Sequence, residues 1–253
     1  MKRVTVILQA RMSSSRLPGK VLMPINGIPL LARQIERVKQ SKLISNIVIA
    51  TSNESSDDPI ETLCQQLHVS CFRGSLHDVL DRFYQAALSY PADVIVRLTG
   101  DCPLIDAAII DNAVNKHLEG GYQYTTNSIL PDDPNNTFTY ADGLDVEVVD
   151  FSVLAHVWRT TTDNYYREHV TSYIRTHSDE FSVGYFHHQP CISHYRLTID
   201  QPEDLTLIKH LFEHFDQSLP NFSYLDVIEY LDQHPELSAI NAMHNIYLER
   251  NND

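Results

Sequence analysis

The chain is poor in glycine, cysteine and positive charge. Eight glycines in 253 residues are too few for a collagen-like or glycine-rich low-complexity protein, and none of them builds a G-x-G-x-x-G dinucleotide fingerprint. The four cysteines, Cys64, Cys71, Cys102 and Cys191, form no C-x-x-C pair and no small disulfide framework, so a reducing, cytoplasmic location is expected. Nineteen Lys and Arg stand against 33 Asp and Glu, a formal net charge of −14. Such a surface repels a phosphate backbone, and nucleic acid is not an expected partner. No stretch approaches the ~20 apolar residues of a membrane span. The apolar run from Val4 to Leu8 is cut off by Gln9 and Arg11 and is too brief for a signal-peptide core. The 13 histidines contain no H-E-x-x-H, and His187 and His188, adjacent on an extended run, would point to opposite faces, so structural zinc is not expected. A G-x-S-x-G nucleophile elbow is missing as well.

What is present is a globular composition, 43% hydrophobic, with an α/β rhythm. Short β-branched runs at residues 4–10, 46–51, 70–72 and 92–100 alternate with helical patterns at 29–40, 59–67 and 76–88. Runs that are apolar on both faces suit a doubly wound, mainly parallel, Rossmann-like sheet covered by helices on each side. From about residue 121 the pattern loosens into YTTN and a polar, turn-rich loop over 128–142 that includes Asp132, Asp133, Pro134, Asn135 and Asn136. Such a loop is either a mobile substrate cover or plain surface. A strand at 144–149, helices at 152–160 and 165–176, strand-like FSVGYFH and HYRLTID, and helices at 202–215 and 224–234 complete the expectation. With no repeat and no flexible linker, residues 1–253 read as one domain.

The strongest local charge signal is RMSSSRLPGK at residues 11–20, where Arg11, Arg16 and Lys20 occur without an acid. The loop follows the first strand, and ligands of open α/β sheets bind beyond the carboxyl ends of parallel strands. Its serines, Ser14 among them, and Gly19 supply the ingredients of an anion nest, so a polyphosphate ligand is expected. It is not a Walker A loop, because Ser14 stands where that pattern needs Gly and Val21 where it needs Ser or Thr. Asp101, just past the strand 92–100, lies on the same rim. A carboxylate beside polyphosphate is unfavourable unless a divalent cation stands between them, which makes Asp101 a Mg²⁺-ligand candidate; the alternative is a turn former ahead of Pro103. Asp200, at the end of HYRLTID, is the second candidate. Its alternative is a capping box with Glu203, Pro202 lying near the first helical turn. Asp78 and Arg82, one helical turn apart, are expected to pair on a helix face.

Taken together, RMSSSRLPGK, TGDCPL (residues 99–104) and LTIDQPEDL (197–205) resemble the cytidylyltransferases that make CMP-activated acidic sugars. FRGSLHDVLDRFYQAA, GLDVEVV and YREHVTSYI extend the likeness to the branch typified by spore coat polysaccharide biosynthesis protein F, related to CMP-Kdo synthetase and acylneuraminate cytidylyltransferase. The resemblance implies a nucleotide-diphospho-sugar transferase-like fold and a homodimer, and an enzyme that moves CMP from CTP to a sugar-acid hydroxyl, releasing pyrophosphate, for cell-surface polysaccharide. It implies Mg²⁺ held by Asp101 and Asp200, a triphosphate gripped by Arg11, Ser14, Arg16 and Lys20, base contacts from the backbone around Leu8 and Ala10, and Asp78 and Arg82 near the nucleotide. Arg11, Lys20 and Asp101 are then the catalytic candidates. Residues 1–120 become the nucleotide-binding half, 121–200 an acceptor and dimerisation half carrying inserted strands and helices, and 201–253 the terminal helices. Acceptor candidates in the segments after the nucleotide half are Asn127, Asp145, Glu147, Arg167, Glu168 and His169, the last three interrupting an amphipathic helix. Thr99-Gly100-Asp101-Cys102 replaces the Gln-Gly-Asp-Glu usual in the Kdo enzymes, so the resemblance leaves the acceptor open between a nonulosonic acid, a Kdo-like acid and something less usual. The competing readings are a metal-dependent glycosyltransferase, for which TGDCPL lacks the second Asp of an Asp-x-Asp motif, a nucleotidyltransferase using another NTP, and a non-catalytic nucleotide-binding protein.

Overall fold

The computed structural model describes residues 2–128, 139–219 and 221–245. Along the first half run β1 (Val4–Gln9), a small hairpin of β2 (Pro24–Ile25) and β3 (Ile28–Pro29), α1 (Leu30–Val38), β4 (Asn46–Ser52), α2 (Asp58–Gln66), β5 (Ser70–Gly74), α3 (Val79–Ser89), β6 (Val94–Thr99) and α4 (Ala107–Gly120). The second half adds β7 (Tyr124–Thr126), β8 (Glu147–Asp150), α5 (Phe151–Thr160), α6 (Asn164–His169), α7 (Ser172–Thr176), β9 (Val183–Tyr185), α8 (Pro202–Ser218), α9 (Tyr224–Gln233) and α10 (Pro235–Ser238).

Seven strands form one sheet in the order β5-β4-β1-β6-β8-β7-β9. The run from β5 through β4 and β1 to β6 is parallel, β8 is antiparallel to both β6 and β7, and β9 is parallel to β7. This is the mainly parallel, doubly wound sheet that the alternating pattern predicts. β1 shows why its sequence is apolar throughout: Val4, Val6 and Leu8 pack into a core with residues of α1, α4 and α8, while Ile7 packs on the opposite side with residues of α3 and α5. A central strand buried on both faces has no polar side to offer water.

Four features differ from the sequence expectation. Helix α4 is absent from it, although its start is well marked by Asp106, whose side chain accepts from the Ala108 N–H at 2.8 Å, and its end by Gly121 in the left-handed region. HYRLTID forms no strand, being interrupted by a turn and bends; it makes one isolated bridge, Arg196 to Asp142. The strand at 144–149 pairs only from Glu147 onward. The expected helix 165–176 breaks into α6 and α7 at Val170, which has a φ of 50° and is buried. A β-branched residue rarely adopts that conformation; here core packing of Val170 and a hydrogen bond from Thr171 to Glu147, at 2.7 Å, hold the turn. Residues 129–138 lie outside the described residues, and with them most of the predicted 128–142 loop. No helix among the described residues is long and apolar enough to cross a membrane.

Two glycines hold positive-φ positions in different surroundings. Gly143, with a φ of 101°, sits where a Cβ would come within 2.5 Å of the Leu197 carbonyl carbon and the Thr198 nitrogen. Gly121 also has a positive φ, 63°, but faces open space. Gly143→Ala is therefore expected to lower unfolding free energy by about 3 kcal/mol, combining backbone strain with overpacking. Gly121→Ala should cost about 1 kcal/mol, from conformation alone. Urea denaturation midpoints at an unchanged slope measure both.

Candidate active site

Three distant segments meet at the carboxyl edge of the parallel strands. The Gly100 N–H donates to the Gln9 carbonyl at 2.8 Å, drawing the end of β6 against the end of β1. The approach needs glycine, because a Cβ on residue 100 would lie 2.9 Å from that same carbonyl oxygen. The Ile199 N–H then donates to the Asp101 carbonyl at 2.9 Å, clamping the segment before α8 onto the loop after β6. Between these segments opens a cavity of about 340 Å³. Its wall comprises Gln9, Ala10, Arg11, Ser14, Arg16 and Lys20 from β1 and the loop behind it, and Val79 and Arg82 from α3. Arg97, Thr99, Gly100 and Asp101 come from β6 and its end, and Glu168, His169 and Asp200 from the second half.

At one side of the cavity Lys20 Nζ sits 2.9 Å from Asp101 Oδ2, 2.8 Å from Asp200 Oδ1 and 2.7 Å from the Ile199 carbonyl oxygen. An ammonium has three N–H donors, and all three are used. Burial alone would lower the Lys20 pKa, but Asp101 and Asp200 outweigh it and raise it; burial would raise that of Asp101, and Lys20 lowers it. Arg16 reaches the same Asp200 oxygen at 2.7 Å. The other oxygen of Asp200 accepts from Arg196 at 3.1 Å, and Arg196 is itself fixed by Asp142 and by Asp204, whose buried carboxylate also accepts from Asn241. Asp204 further accepts the backbone N–H groups of Asp200 and Gln201, each at 2.9 Å. The alternative reading of Asp200, a capping box with Glu203, is not what forms: Asp204 serves the start of α8, and Asp200 lines the cavity. As a donor set, two hard carboxylate oxygens already converging on one cation fit Mg²⁺, which is commonly held by one or two carboxylates together with substrate phosphates. Among the described residues no group of three or more His, Cys, Asp or Glu side chains is placed to hold an ion, so the protein side of such a site is this pair.

The same cavity is lined by two further guanidiniums, those of Arg11 and Arg82. Arg82 is 2% exposed; among the described residues its side chain donates to the Ser75 carbonyl alone, at 2.8 Å, and its buried Nε–H has no partner. Burial and then repulsion from Arg11 push its pKa down to about 10. A like-charged pair of guanidiniums held against a cavity favours an anion inside it. Arg97, which the sequence reading missed, adds a third guanidinium; it is ion-paired to Glu147, reaches Gln9 Oε1 at 3.3 Å, and its Nε–H is also unpartnered. Asp57, equally unforeseen, is fully buried and accepts from the Met12 N–H at 2.8 Å, Thr51 Oγ1 at 2.9 Å and the Ser52 N–H at 3.0 Å, with Ser52 Oγ as a fourth donor. It ties the basic loop, one residue after Arg11, to the end of β4. The only sequence signal for it is an Asp six residues after the Thr51 that ends a strand.

Of the predicted nucleotide residues, Ala10, Arg11, Ser14, Arg16, Lys20 and Arg82 line the cavity, as do both metal candidates, Asp101 and Asp200. Leu8 does not: it is buried in the core, and its backbone lies in the ladders to β4 and β6. The Ala10 N–H is likewise engaged, with the Ala50 carbonyl at 3.2 Å. Asp78 and Arg82 do not pair. Asp78 caps α3 and forms a two-pronged ion pair with Arg167, and both of these line a neighbouring cavity of about 710 Å³. Of the acceptor candidates only Glu168 and His169 reach the first cavity, and Glu168 borders both. Asn127 is corrected to a structural role, bonding the Leu144 carbonyl and the Val146 N–H where β7 and β8 are not yet paired. Asp145 is half-buried and accepts from Ser128 Oγ at 2.7 Å and from the Gly143 N–H at 3.2 Å. Glu147 is buried behind Arg97 and accepts from Tyr124 and Thr171; burial would raise its pKa, but Arg97, Arg175 and these hydroxyls hold it down at about 2.

A family model for cytidylyltransferases matches residues 5–234. The chain is 36% identical over 248 residues to the spore coat polysaccharide biosynthesis protein SpsF of Bacillus subtilis, covering 94% of this chain and 98% of that one. A more distant relative, the 3-deoxy-manno-octulosonate cytidylyltransferase of Geobacter metallireducens, is 33% identical over 113 residues, 44% of this chain and 43% of the relative. Among solved structures, a cytidylyltransferase from Leptospira borgpetersenii superposes with a TM-score of 0.87 at 36% identity, over 94% of this chain and 97% of the other.

The Asp57 anchor makes a pH-dependent contribution to stability. Burial would raise its pKa, but the bonds from Ser52, Met12 and Thr51 prevail and lower it below the usual value. A depressed carboxylate contributes fully above the unfolded value of about 3.9 and loses its contribution as pH falls through the folded value. Asp57→Asn should destabilise the protein by about 1–3 kcal/mol at neutral pH. In urea unfolding at pH 7, 5 and 3, the gap to wild type is expected to be equal at the first two and to narrow at the third.

Proposed function

The chain belongs to the cytidylyltransferase family, and from that premise we propose that it transfers CMP from CTP to a hydroxyl of a sugar acid, with release of pyrophosphate and with Mg²⁺ as the metal. The acceptor class, a nonulosonic or Kdo-like acid destined for cell-surface polysaccharide, draws support from the relatives named for polysaccharide biosynthesis and for a 3-deoxy sugar acid. The observation that carries the reading is the convergence of Lys20, Asp101 and Asp200 in a cavity that Arg11 and Arg82 also line. The carboxylates suit a divalent ion, the guanidiniums suit phosphates, and a nucleoside triphosphate with its metal needs both.

In this reading Arg11, Arg16 and Arg82 bind the triphosphate, with Lys20 beside them. The acceptor hydroxyl attacks the α-phosphorus in line, and the chain contributes position and charge rather than a covalent intermediate. Donors fixed before the reaction, such as Arg11 held by the Asp57 anchor behind it, stabilise charge as it grows on the departing pyrophosphate. Asp101 and Asp200 would hold Mg²⁺, which neutralises phosphate charge when bound. Glu168 and His169, which line the same cavity, are the residues that would contact the acceptor. A homodimer, implied by the family likeness, belongs to the same proposal and is checked by sedimentation equilibrium.

A pyrophosphate-release screen of the four ribonucleoside triphosphates against a panel of 2-keto sugar acids tests the reading, with turnover expected for CTP. Consumption of a nucleoside diphosphate sugar in place of any triphosphate would refute it. Lys20→Ala and Asp101→Ala are each expected to lower turnover by ~10²–10³, the usual loss for one preorganised charged group. Near-wild-type pyrophosphate release by either variant removes that residue from its role.

A further inference from the structure

The arrangement at Lys20 poses a chemical conflict. Its ammonium contacts the two carboxylate oxygens that a divalent ion would need, and it has no donor left for a phosphate. A magnesium ion coordinates oxygen at about 2.0–2.1 Å. An ion held by Asp101 and Asp200 would need the space that Nζ fills between them, and the two cations would exclude each other there. Arg16, at 2.7 Å from the same Asp200 oxygen, adds to the competition.

We propose that Lys20 is a resident counter-cation that exchanges partners, holding Asp101 and Asp200 together until a divalent ion takes those oxygens and then passing to the phosphates of the nucleotide. The proposal rests on the reading of Asp101 and Asp200 as metal ligands. Three observations fit it. The two competing cations, Arg16 and Lys20, both come from the basic loop, so the groups displaced from the carboxylates are the ones expected to meet phosphate. Arg196, the third cation on Asp200, is locked by Asp142 and Asp204 and stays to orient the carboxylate. The Lys20 backbone is fixed, its N–H donating to the Leu17 carbonyl at 3.2 Å and its own carbonyl accepting from Met23 at 3.0 Å. Only the flexible four-carbon side chain has to turn. Metal and nucleotide are then coupled positively, because each removes the partner that the other must displace. Free metal binds weakly, since it has to expel an ammonium buried among three acceptors.

The test is a titration of Mn²⁺ alone, followed by electron paramagnetic resonance, on wild type and Lys20→Met, without nucleotide. The variant is expected to bind Mn²⁺ about 10-fold or more tightly than wild type, within the usual span of coupling energies. Its melting temperature should rise on adding Mn²⁺, whereas that of wild type should not. Adding Asp200→Asn to Lys20→Met should abolish the gain. Lys20→Gln serves in place of Lys20→Met if the latter does not fold. Equal affinity in wild type and variant, micromolar binding by wild type alone, or no binding by either protein would each overturn the proposal. CTP affinity, measured separately by calorimetry, reports on the nucleotide reading, so the two can fail independently.

Discussion

Asp101 and Asp200 share a single ammonium, and the mutual repulsion of those carboxylates is the constraint around which the site is built. Neither can be charged and close to the other without a cation between them. The fold meets that demand by drawing a lysine from the first loop, an aspartate from the end of the fourth parallel strand and an aspartate from the segment before α8 to one point. Removing one member of so enclosed an ion group leaves uncompensated charge behind, which typically costs more than the whole assembly contributes. The surrounding bonds explain why the geometry holds. Asp200 is steered by Arg196, Arg196 by Asp204 and Asp142, and Asp204 by Asn241, so each charge is oriented by the next until the web ends in the core.

A second web works with opposite sign. In a chain of net charge −14, Arg11, Arg82 and Arg97 are gathered at one cavity, and buried acids stand behind two of them. Glu147 backs Arg97, and Asp57 fixes the backbone next to Arg11. Arg82 has no carboxylate on it and carries the electrostatic cost as a depressed pKa. The acidic exterior and the basic interior of the cavity together confine attraction for anions to one place, which keeps a polyanion ligand from spreading over the surface.

Much of this was legible from residue order because it depends on local pattern. Apolar runs bounded by helical periodicity mark β1, β4 and β6, and the position of a basic loop after a strand implies a rim even without knowing the fold. Asp101 and Asp200 are readable for the same reason, each ending an apolar run. What escaped depends on pairing between remote segments. Arg97 faces the cavity only because β6 lies against β8 in a register that sets it opposite Glu147, and Asp57 matters only because β4 lies beside β1. The division of α6 from α7 at Val170 is a tertiary override, with packing and one threonine hydrogen bond outweighing helical periodicity. Asn127 and Asp145 misled because polar residues that close irregular backbone look, in sequence, like residues waiting for a ligand.

The direction of β8 carries a topological consequence. In a wholly parallel sheet every strand presents its end, never its beginning, to the binding edge, so each contributes only the turn that leaves it. Because β8 runs the other way, the residues that lead into it arrive at that edge, bringing Asp142 to the Arg196 that steers Asp200 and setting Glu147, its first residue, beside Arg97. A single reversed strand thus lets an incoming connection and several outgoing ones furnish one side of the molecule, all within one continuous sheet.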